Sequence, residues 1–234
     1  MGGTDTALGL GWLGHSSFVL QFGETQVVTD PFDQRVGYPV PKLHPDIVTV
    51  SHEHFDHNNI SQMPPQAQVL RGLDPHTQDW AQIGGTYGGV RIQTFPSYHD
   101  AQKGAQRGKN AIFAFSWKGL KVAHLGDLGH VLGPDEAAAL GPVDILMIPV
   151  GGYFTIDAAA AQRVVAQLRP RIAIPMHYRT SFVTNLPIAP VDEFLRGQKN
   201  VRRLASRPQA LTAAQVEPGQ LPEQTEIWVF PDPA

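Results

Sequence analysis

The segment Ser51-His52-Glu53-His54-Phe55-Asp56-His57 brings three imidazoles and two carboxylates into seven consecutive residues. It directly follows an apolar run that is typical of a buried strand. In an extended chain, residues two apart point the same way, so His52 and His54 can converge on one ion while Asp56 and His57 turn toward a second. The segment therefore predicts a metal-binding site.

Further ligand-type residues follow the ends of other predicted strands. Because strand ends converge on one edge of a sheet, these side chains are expected to meet the histidine-rich segment there. They are Asp30, His99, Asp127 and His177.

This set of side chains is large enough for two ions. Two divalent ions about 3.5 to 4 Å apart need a bridging carboxylate and roughly two or three further ligands each. A water or hydroxide between them would be the nucleophile, with its pKa lowered from about 15.7 toward 7. We assign His52, His54 and His99 to one ion, Asp56, His57 and His177 to the other, and Asp127 to both.

Composition narrows the choice of metal. The chain has no cysteine, so it has neither disulfides nor thiolate ligands. Ligation by imidazole and carboxylate suits zinc, and the same set accommodates manganese or iron. The predicted cofactors are therefore two divalent metal ions, with Zn²⁺ first and Mn²⁺ or Fe as alternatives.

Length and charge favour one domain, residues 1–234, acting on a small molecule. The 234 residues carry 42% hydrophobic and 17% charged residues and a net charge of -3, which argues against a broad nucleic-acid-binding surface. No apolar run approaches the ~20 residues that span a bilayer. The start of the chain lacks the basic and apolar segments of a secretion signal, so a cytoplasmic location is predicted. Homo-oligomerisation is left open.

Short β-branched and apolar runs predict the strands, and later continuous runs indicate strands covered on both faces. Strands first in hairpins and then alternating with helices predict two mixed sheets with helices outside, a four-layer αββα sandwich of the α/β class. The predicted strands are Ser17–Gln21, Thr25–Thr29, Asp46–Val50, Gln68–Arg71, Val90–Phe95, Ala111–Trp117, Leu120–Leu125, Val143–Pro149 and Arg171–Pro175.

The clearest helix is predicted over Ile156–Leu168, with Thr155 as its cap and Pro170 as its stop. Gly119 can take the positive φ of a tight hairpin between two strands. Weaker helix predictions are Pro75–Gln82, Pro134–Leu140, Pro190–Leu195 and Pro208–Gln215.

With these residues in place, the chain closely resembles the metallo-β-lactamase superfamily. The family's signature His-x-His-x-Asp-His stands here as the run from His52 to His57. His99, Asp127 and His177 occupy the places of its third histidine, bridging aspartate and last histidine. Asp30 resembles its early aspartate, which usually orients a ligand from behind. The resemblance implies the αββα fold and metal-dependent hydrolysis.

Within the superfamily, Leu13–Phe18, Ala123–His130 and Ile148–Gly152 look like the branch of small hydrolases that includes L-ascorbate-6-phosphate lactonases. Flavodiiron oxidoreductases usually have glutamate at the place of His54, which favours hydrolysis over oxygen or nitric oxide reduction. The absence of cysteine excludes the β-lactamases that use a cysteine ligand. The resemblance does not name the substrate.

Two histidines near the predicted site have two readings each. His130 follows Asp127 on a Gly-rich loop and could contact the substrate or protonate a leaving group, or else make a structural hydrogen bond. His15 could orient a ligand from behind, or be a buried turn residue.

Four further residues are candidates for substrate contact. Arg107 and Lys109 lie on a basic loop and could receive a phosphate or carboxylate, or be solvated. Tyr153 and Tyr178 flank the same sheet edge and could hydrogen-bond the substrate or simply pack.

The sequence thus predicts a dinuclear metal-dependent hydrolase that cleaves a small polar ester, lactone or phosphoester, with Asp56, Asp127 and His130 as catalytic residues. One alternative is a phosphodiesterase of the N-acylphosphatidylethanolamine phospholipase D kind, which would favour an apolar groove that the sequence does not show. The other is a non-catalytic, metal-stabilised module whose site is blocked by side chains.

Overall fold

Two mixed β-sheets form the framework of the protein in a computed structural model, which describes residues 6–205 and 214–233. The strands in chain order are β1 (Leu8–Gly14), β2 (Ser17–Phe22), β3 (Thr25–Thr29), β4 (Ile47–Val50), β5 (Gln68–Arg71), β6 (Gly84–Tyr87), β7 (Val90–Tyr98), β8 (Lys109–Trp117), β9 (Leu120–His124), β10 (Ile145–Pro149), β11 (Ile172–Met176), β12 (Val201–Arg203), β13 (Ala214–Val216) and β14 (Glu226–Val229).

The first sheet has the order β13-β1-β2-β3-β4-β5, and the second has the order β12-β14-β11-β10-β9-β8-β7-β6. In the first, β3, β4 and β5 run parallel. In the second, β9, β10, β11, β14 and β12 run parallel, while β6 to β9 form antiparallel hairpins. Because parallel strands end at the same edge, residues that follow them are brought together there.

The core lies between the two sheets, and strand alternation decides which side chains enter it. In β2, Phe18, Leu20 and Phe22 join the cluster between the sheets, whereas Val19 joins a second cluster on the other face. The second cluster is completed by irregular segments that include Phe32 and Tyr38. Strand β2 of the first sheet is therefore buried on both faces.

Three α-helices lie in the described chain: α1 (Pro134–Leu140), α2 (Ala158–Leu168) and α3 (Val191–Leu195). Helix α1 contacts β7, and α2 contacts β10 and α3, so they cover the second sheet. The predicted sandwich of two mixed sheets with outer helices is confirmed. None of the described helices has the length and apolar character needed to cross a membrane.

The start of α2 differs from the prediction. Asp157, and not Thr155, is the N-cap, because its carboxylate accepts a hydrogen bond of 2.8 Å from the Ala160 N–H. The end agrees with prediction, since Arg169 takes a left-handed conformation directly before Pro170. The hairpin at Gly119 is confirmed, with positive φ at two successive residues as in a type I′ turn.

The helix predicted over Pro75–Gln82 is wrong. Asp74 accepts hydrogen bonds from the backbone N–H groups of His76 and Thr77, at 2.8 and 2.9 Å, and this holds the segment in a local turn. Of the helix predicted over Pro208–Gln215, residues 208–213 lie outside the described residues, and Gln215 lies in β13. The strands β1, β6, β12, β13 and β14 were not predicted.

Candidate metal centre

The candidate site lies at the sheet edge where parallel strands of both sheets end. Asp30 follows β3, His52 lies two residues beyond β4, Asp127 lies three residues beyond β9, and His177 follows β11. Asp30 and His177 both have positive φ, at 40° and 53°, which turns each side chain out of its strand direction. The strand ends therefore gather residues that are far apart in the chain.

Asp127 is the centre of the cluster. Its Oδ2 atom lies 3.2 Å from His57 Nε2, 3.1 Å from His99 Nε2 and 3.3 Å from His177 Nε2. Burial alone would raise the pKa of this carboxyl, but the surrounding histidines, His177 and His57 first, hold it well below its usual value. One carboxylate oxygen thus faces three imidazoles from three different elements.

Two groups of candidate ligands flank Asp127. Their ligand atoms lie within 4.8 Å of one another in each group. In the first, His52 Nε2 lies 3.1 Å from His54 Nδ1. One group is His52, His54 and His99, and the other is His15, Asp56, His57 and His177.

The unsatisfied atoms of this cluster test whether cations fit. Among the described residues, the buried Asp127 Oδ1 atom has no hydrogen-bond partner, although such atoms are normally paired. Burial lowers the pKa of His52, and the neighbouring His57 lowers it further, so the neutral ring presents a lone pair toward His54. Imidazole and carboxylate donors facing one another in this way fit divalent cations.

Asp30 and Ser51 orient two of these histidines from behind. Asp30 Oδ2 lies 2.9 Å from His57 Nδ1 and accepts a 2.6 Å hydrogen bond from Ser51 Oγ. Ser51 Oγ in turn lies 3.0 Å from His52 Nδ1. With both Nδ1 atoms occupied as donors, the Nε2 atoms of His52 and His57 face the cluster. Ser51 stands directly before the signature, and this orienting role was not predicted from the sequence.

Asn110 fixes the loop that carries Asp127. Its Oδ1 accepts a 3.0 Å hydrogen bond from the Asp127 backbone N–H, and its Nδ2 donates to Ser97 Oγ and the Leu125 carbonyl. A Cβ on Gly129 would lie 2.2 Å from the His99 carbonyl carbon, so the loop needs glycine there to approach β7. Asn110 had no signal in the sequence beyond being a polar residue next to a predicted strand.

His15 lies behind the second group of candidate ligands. Its Nε2 lies 3.2 Å from Asp56 Oδ2, and its ring centroid lies 4.0 Å from that of His177. Burial, followed by the nearby His177, lowers the pKa of His15 to about 4. The neutral ring can therefore donate to Asp56 and orient it.

A cavity of about 620 Å³ opens above the cluster. Two arginines, Arg35 and Arg107, line this cavity. We call His54, Asp56, His99, Asp127 and His177 the cavity floor. We call Phe55, Phe154, Phe182, Val183 and Leu186 the cavity wall. The sequence did not predict this apolar surface.

The candidates for substrate contact have different positions. Arg107 lines the cavity. Lys109 is directed elsewhere, because it forms an ion pair with Asp79 and its ammonium lies 4.6 Å from the Trp80 ring centroid. The structure thus gives Lys109 a surface role in place of the predicted substrate contact.

The two tyrosines also lie outside the residues that line the cavity. Tyr178 is buried and stacks on Trp12 at 5.2 Å between ring centroids, so the structure gives it a packing role. Tyr153 is 64% exposed and contacts Phe154 edge to face.

His130, predicted as catalytic, does not line the cavity. Its Nε2 accepts a 3.2 Å hydrogen bond from the Tyr98 backbone N–H, and its Nδ1 lies 3.1 Å from the Val131 carbonyl. Because both ring nitrogens contact backbone groups, His130 has the structural hydrogen-bonding role and not the predicted catalytic one.

Comparisons with known proteins agree with the metal-ligand geometry of this site. Residues 9–177 match the family model described as the Beta-lactamase superfamily domain. The chain is 33% identical over 186 residues to the UPF0173 metal-dependent hydrolase of Thermoplasma acidophilum, covering 72% of this chain and 82% of that protein. A protein of Carboxydothermus hydrogenoformans with the same description is 31% identical over 194 residues, covering 72% of this chain and 84% of that protein.

A solved structure extends the similarity over nearly the whole chain. It is described as a candidate Zn-dependent hydrolase of the metallo-β-lactamase superfamily from Thermotoga maritima. It is 31% identical with a TM-score of 0.71, and the match covers 95% of this chain and 98% of that one.

Proposed function

This chain belongs to the β-lactamase superfamily, and from that premise we propose that it is a hydrolase that works with two divalent metal ions. The observation that carries the proposal is the position of Asp127 Oδ2, within 3.1 to 3.3 Å of three histidine nitrogens. A buried carboxylate shared by imidazoles from several elements suits a bridging ligand.

The residues that would hold the ions divide into two sets that share one carboxylate. Bound divalent cations supply Lewis acidity, which lowers the pKa of water and stabilises negative charge that develops on the substrate. We assign His52, His54 and His99 to one ion, Asp56, His57 and His177 to the other, and Asp127 to both. Zinc suits this set, and manganese or iron are the alternatives.

Of the two candidate carboxylate ligands, Asp127 has 2% of its side chain exposed and Asp56 has 22%, so Asp56 is the more accessible from the cavity. Although burial raises its pKa, His57 and the hydrogen bond from His15 hold it well below its usual value. A carboxylate that stays ionised is a weak general base, but it can accept a hydrogen bond from a water molecule. We therefore assign Asp56 to orienting the attacking water at the cavity floor, with His15 keeping the carboxylate in place.

We propose esters, lactones and phosphoesters as the substrate classes, because each offers an electrophilic centre that a water molecule can attack. The phosphodiesterase alternative gains support from the apolar wall, since Phe55 and Phe182 are 50% and 39% exposed and could cover an acyl chain. The non-catalytic alternative requires a blocked site, whereas His54 and Asp56 both face the open cavity.

The test is initial-rate hydrolysis by protein loaded with zinc or manganese, on matched panels of lactones, carboxylic esters and phosphodiesters. The proposal expects turnover of at least one panel that chelation removes and added metal restores. Turnover of phosphodiesters alone would favour the phospholipase-like alternative. Stoichiometric metal binding without turnover of any panel would favour the non-catalytic module.

A further inference from the structure

We infer that the cavity selects substrates that combine an anionic group with an apolar, preferably aromatic, body. In this assignment Arg107 binds the anionic group, and Phe154 with Phe182 contacts the apolar body. The inference deepens the proposed function and rests on it, because it names the chemical class that reaches the cavity floor.

Arg107 is held toward the cavity by an unusually well-fixed loop. The Asp100 carboxylate accepts hydrogen bonds from four backbone N–H groups at 2.7 to 3.0 Å, and the last of these belongs to Arg107 itself. These four bonds tie the loop from Gln102 to Arg107 to the end of β7. The backbone of Arg107 is therefore positioned before any ligand binds, which reduces the entropy lost on binding.

Arg107 also differs from its neighbours in charge pairing. Arg35 pairs with Asp33, and Lys109 pairs with Asp79. Within residues 6–205 and 214–233, no carboxylate forms an ion pair with Arg107. A guanidinium that lines a cavity without an internal counter-charge is suited to binding a carboxylate or phosphate, because its planar fork matches two oxygens.

The apolar part of the subsite lies directly beside this cation. The Phe154 ring centroid is 5.8 Å from the Arg107 guanidinium carbon and 6.5 Å from the His177 ring centroid. Phe154 therefore lies next to both the cation and the cavity floor. Phe182 adds partly exposed aromatic surface to the same cavity. An apolar group bound there would remove this surface from water and gain aromatic contacts.

The test uses three small probes that separate charge from apolar surface: phenylacetate, phenylacetamide and acetate. Dissociation constants are measured by calorimetry with zinc-loaded protein and with chelator-treated protein, because a carboxylate can also bind a metal ion directly. The inference expects phenylacetate to bind more tightly than both other probes in both preparations.

Variants then show which residues supply the charge contribution and which supply the apolar contribution to probe binding. Arg107→Gln is expected to weaken phenylacetate binding about tenfold, the size of one charge-assisted hydrogen bond, and to leave phenylacetamide unchanged. Lys109→Gln is the matched control, two residues away and directed to Asp79, and is expected to leave both constants unchanged. Phe154→Ala is expected to weaken both phenyl probes and to leave acetate unchanged. Phe182→Ala provides a second test of the wall if Phe154→Ala does not fold.

The inference is overturned if phenylacetamide binds as tightly as phenylacetate, or if Arg107→Gln and Lys109→Gln behave alike. Its failure is distinguishable from failure of the proposed function. Metal-dependent turnover without probe selectivity would retain the function and reject the subsite. Probe selectivity in chelator-treated protein without turnover of any panel would retain the subsite and reject the hydrolase.

Discussion

The floor and the wall of the cavity are built from different kinds of structure. The floor consists of polar residues that follow strand ends, such as Asp127 and His177, and His15 and Asn110 behind it hold the Asp56 carboxylate and the Asp127 backbone in place. The wall consists of aromatic and aliphatic residues on irregular segments, such as Phe55 and the stretch 182–186. His99, Asp127 and His177 of the floor are buried, whereas Phe55 of the wall is half-exposed.

This difference assigns metal binding and turnover to the floor and the choice of substrate to the wall. Strand ends fixed by sheet hydrogen bonds can hold ligand atoms to within a few tenths of an ångström, which a metal centre requires. Loops tolerate changes in size and polarity and are suited to deciding which molecules enter. Changes to the floor should therefore affect metal binding and turnover for every substrate, and changes to the wall should affect only the choice among substrates.

The largest effect is expected for Asp127→Asn. Loss of the shared anionic oxygen should lower turnover about a thousandfold or more and lower the metal content, because the remaining ligands no longer offset the mutual repulsion of two ions. Rates and elemental analysis of the same samples measure both effects. Asp135→Asn, on exposed α1, is the control. Unchanged turnover with full metal content in Asp127→Asn would show that this floor residue is needed for neither metal binding nor catalysis.

A smaller effect is expected for Asp30→Asn, which does not touch the cavity. The amide no longer offers a carboxylate to His57 Nδ1, so metal affinity should fall about 10- to 100-fold while the fold is retained. Competition with a chromogenic chelator measures this affinity. An affinity equal to that of the unaltered protein would mean that His57 is oriented without Asp30.

A substitution in the cavity wall is expected to change substrate binding without changing metal binding. Phe182→Ala should leave the metal content unchanged, because it alters no candidate ligand, and should lower the free energy of unfolding by about 1 kcal/mol, because the side chain is partly exposed but contacts Tyr38. It should raise KM several-fold, about the contribution of one partly buried aromatic contact, with little change in kcat. Steady-state kinetics on the best substrate separates the two constants. An equal loss of kcat would show that wall and floor are not separate.

The smallest effect is expected for Asp100→Asn, at the base of the Arg107 loop. Burial opposes ionisation of Asp100, but its four backbone hydrogen bonds hold its pKa below the usual value. Its stabilising contribution is therefore complete above the unfolded pKa of about 3.9 and is lost as the pH falls through the folded pKa. The substitution should lower the free energy of unfolding by about 1 kcal/mol at pH 7. Denaturant titration should find that difference shrinking in acid, and a constant difference would contradict the assignment.

The sequence was most informative where chemistry and periodicity coincide. The predicted floor residues follow apolar runs whose strand character is easily recognised, so their meeting at one edge could be predicted. Ser51 and Asn110 escaped prediction because their roles depend on which backbone groups come within reach after folding. Lys109 looked equivalent to Arg107 in sequence, but its ion pair with Asp79 directs it away from the cavity. Neither tyrosine lines the cavity, because Tyr178 packs against Trp12 and Tyr153 is exposed elsewhere.

The wall could not be predicted, because its segments have no regular period and become a surface only when the loops meet. Local side-chain chemistry also overrode helix signals, as at Asp74, whose carboxylate competes for the backbone N–H groups of the predicted helix. Strand β6 begins with two glycines and β12 has three residues, two of them arginines, so neither carries an apolar run that would predict a strand.

The central claim is that Asp127 joins two metal ions, and the most direct measurement is metal stoichiometry. Chelator-treated protein is dialysed to equilibrium against zinc and, separately, manganese, and bound metal is counted per chain by elemental analysis. We expect two ions per chain in the unaltered protein and fewer than two in Asp127→Asn. No tightly bound ion in the unaltered protein, or two ions retained in Asp127→Asn, would contradict it.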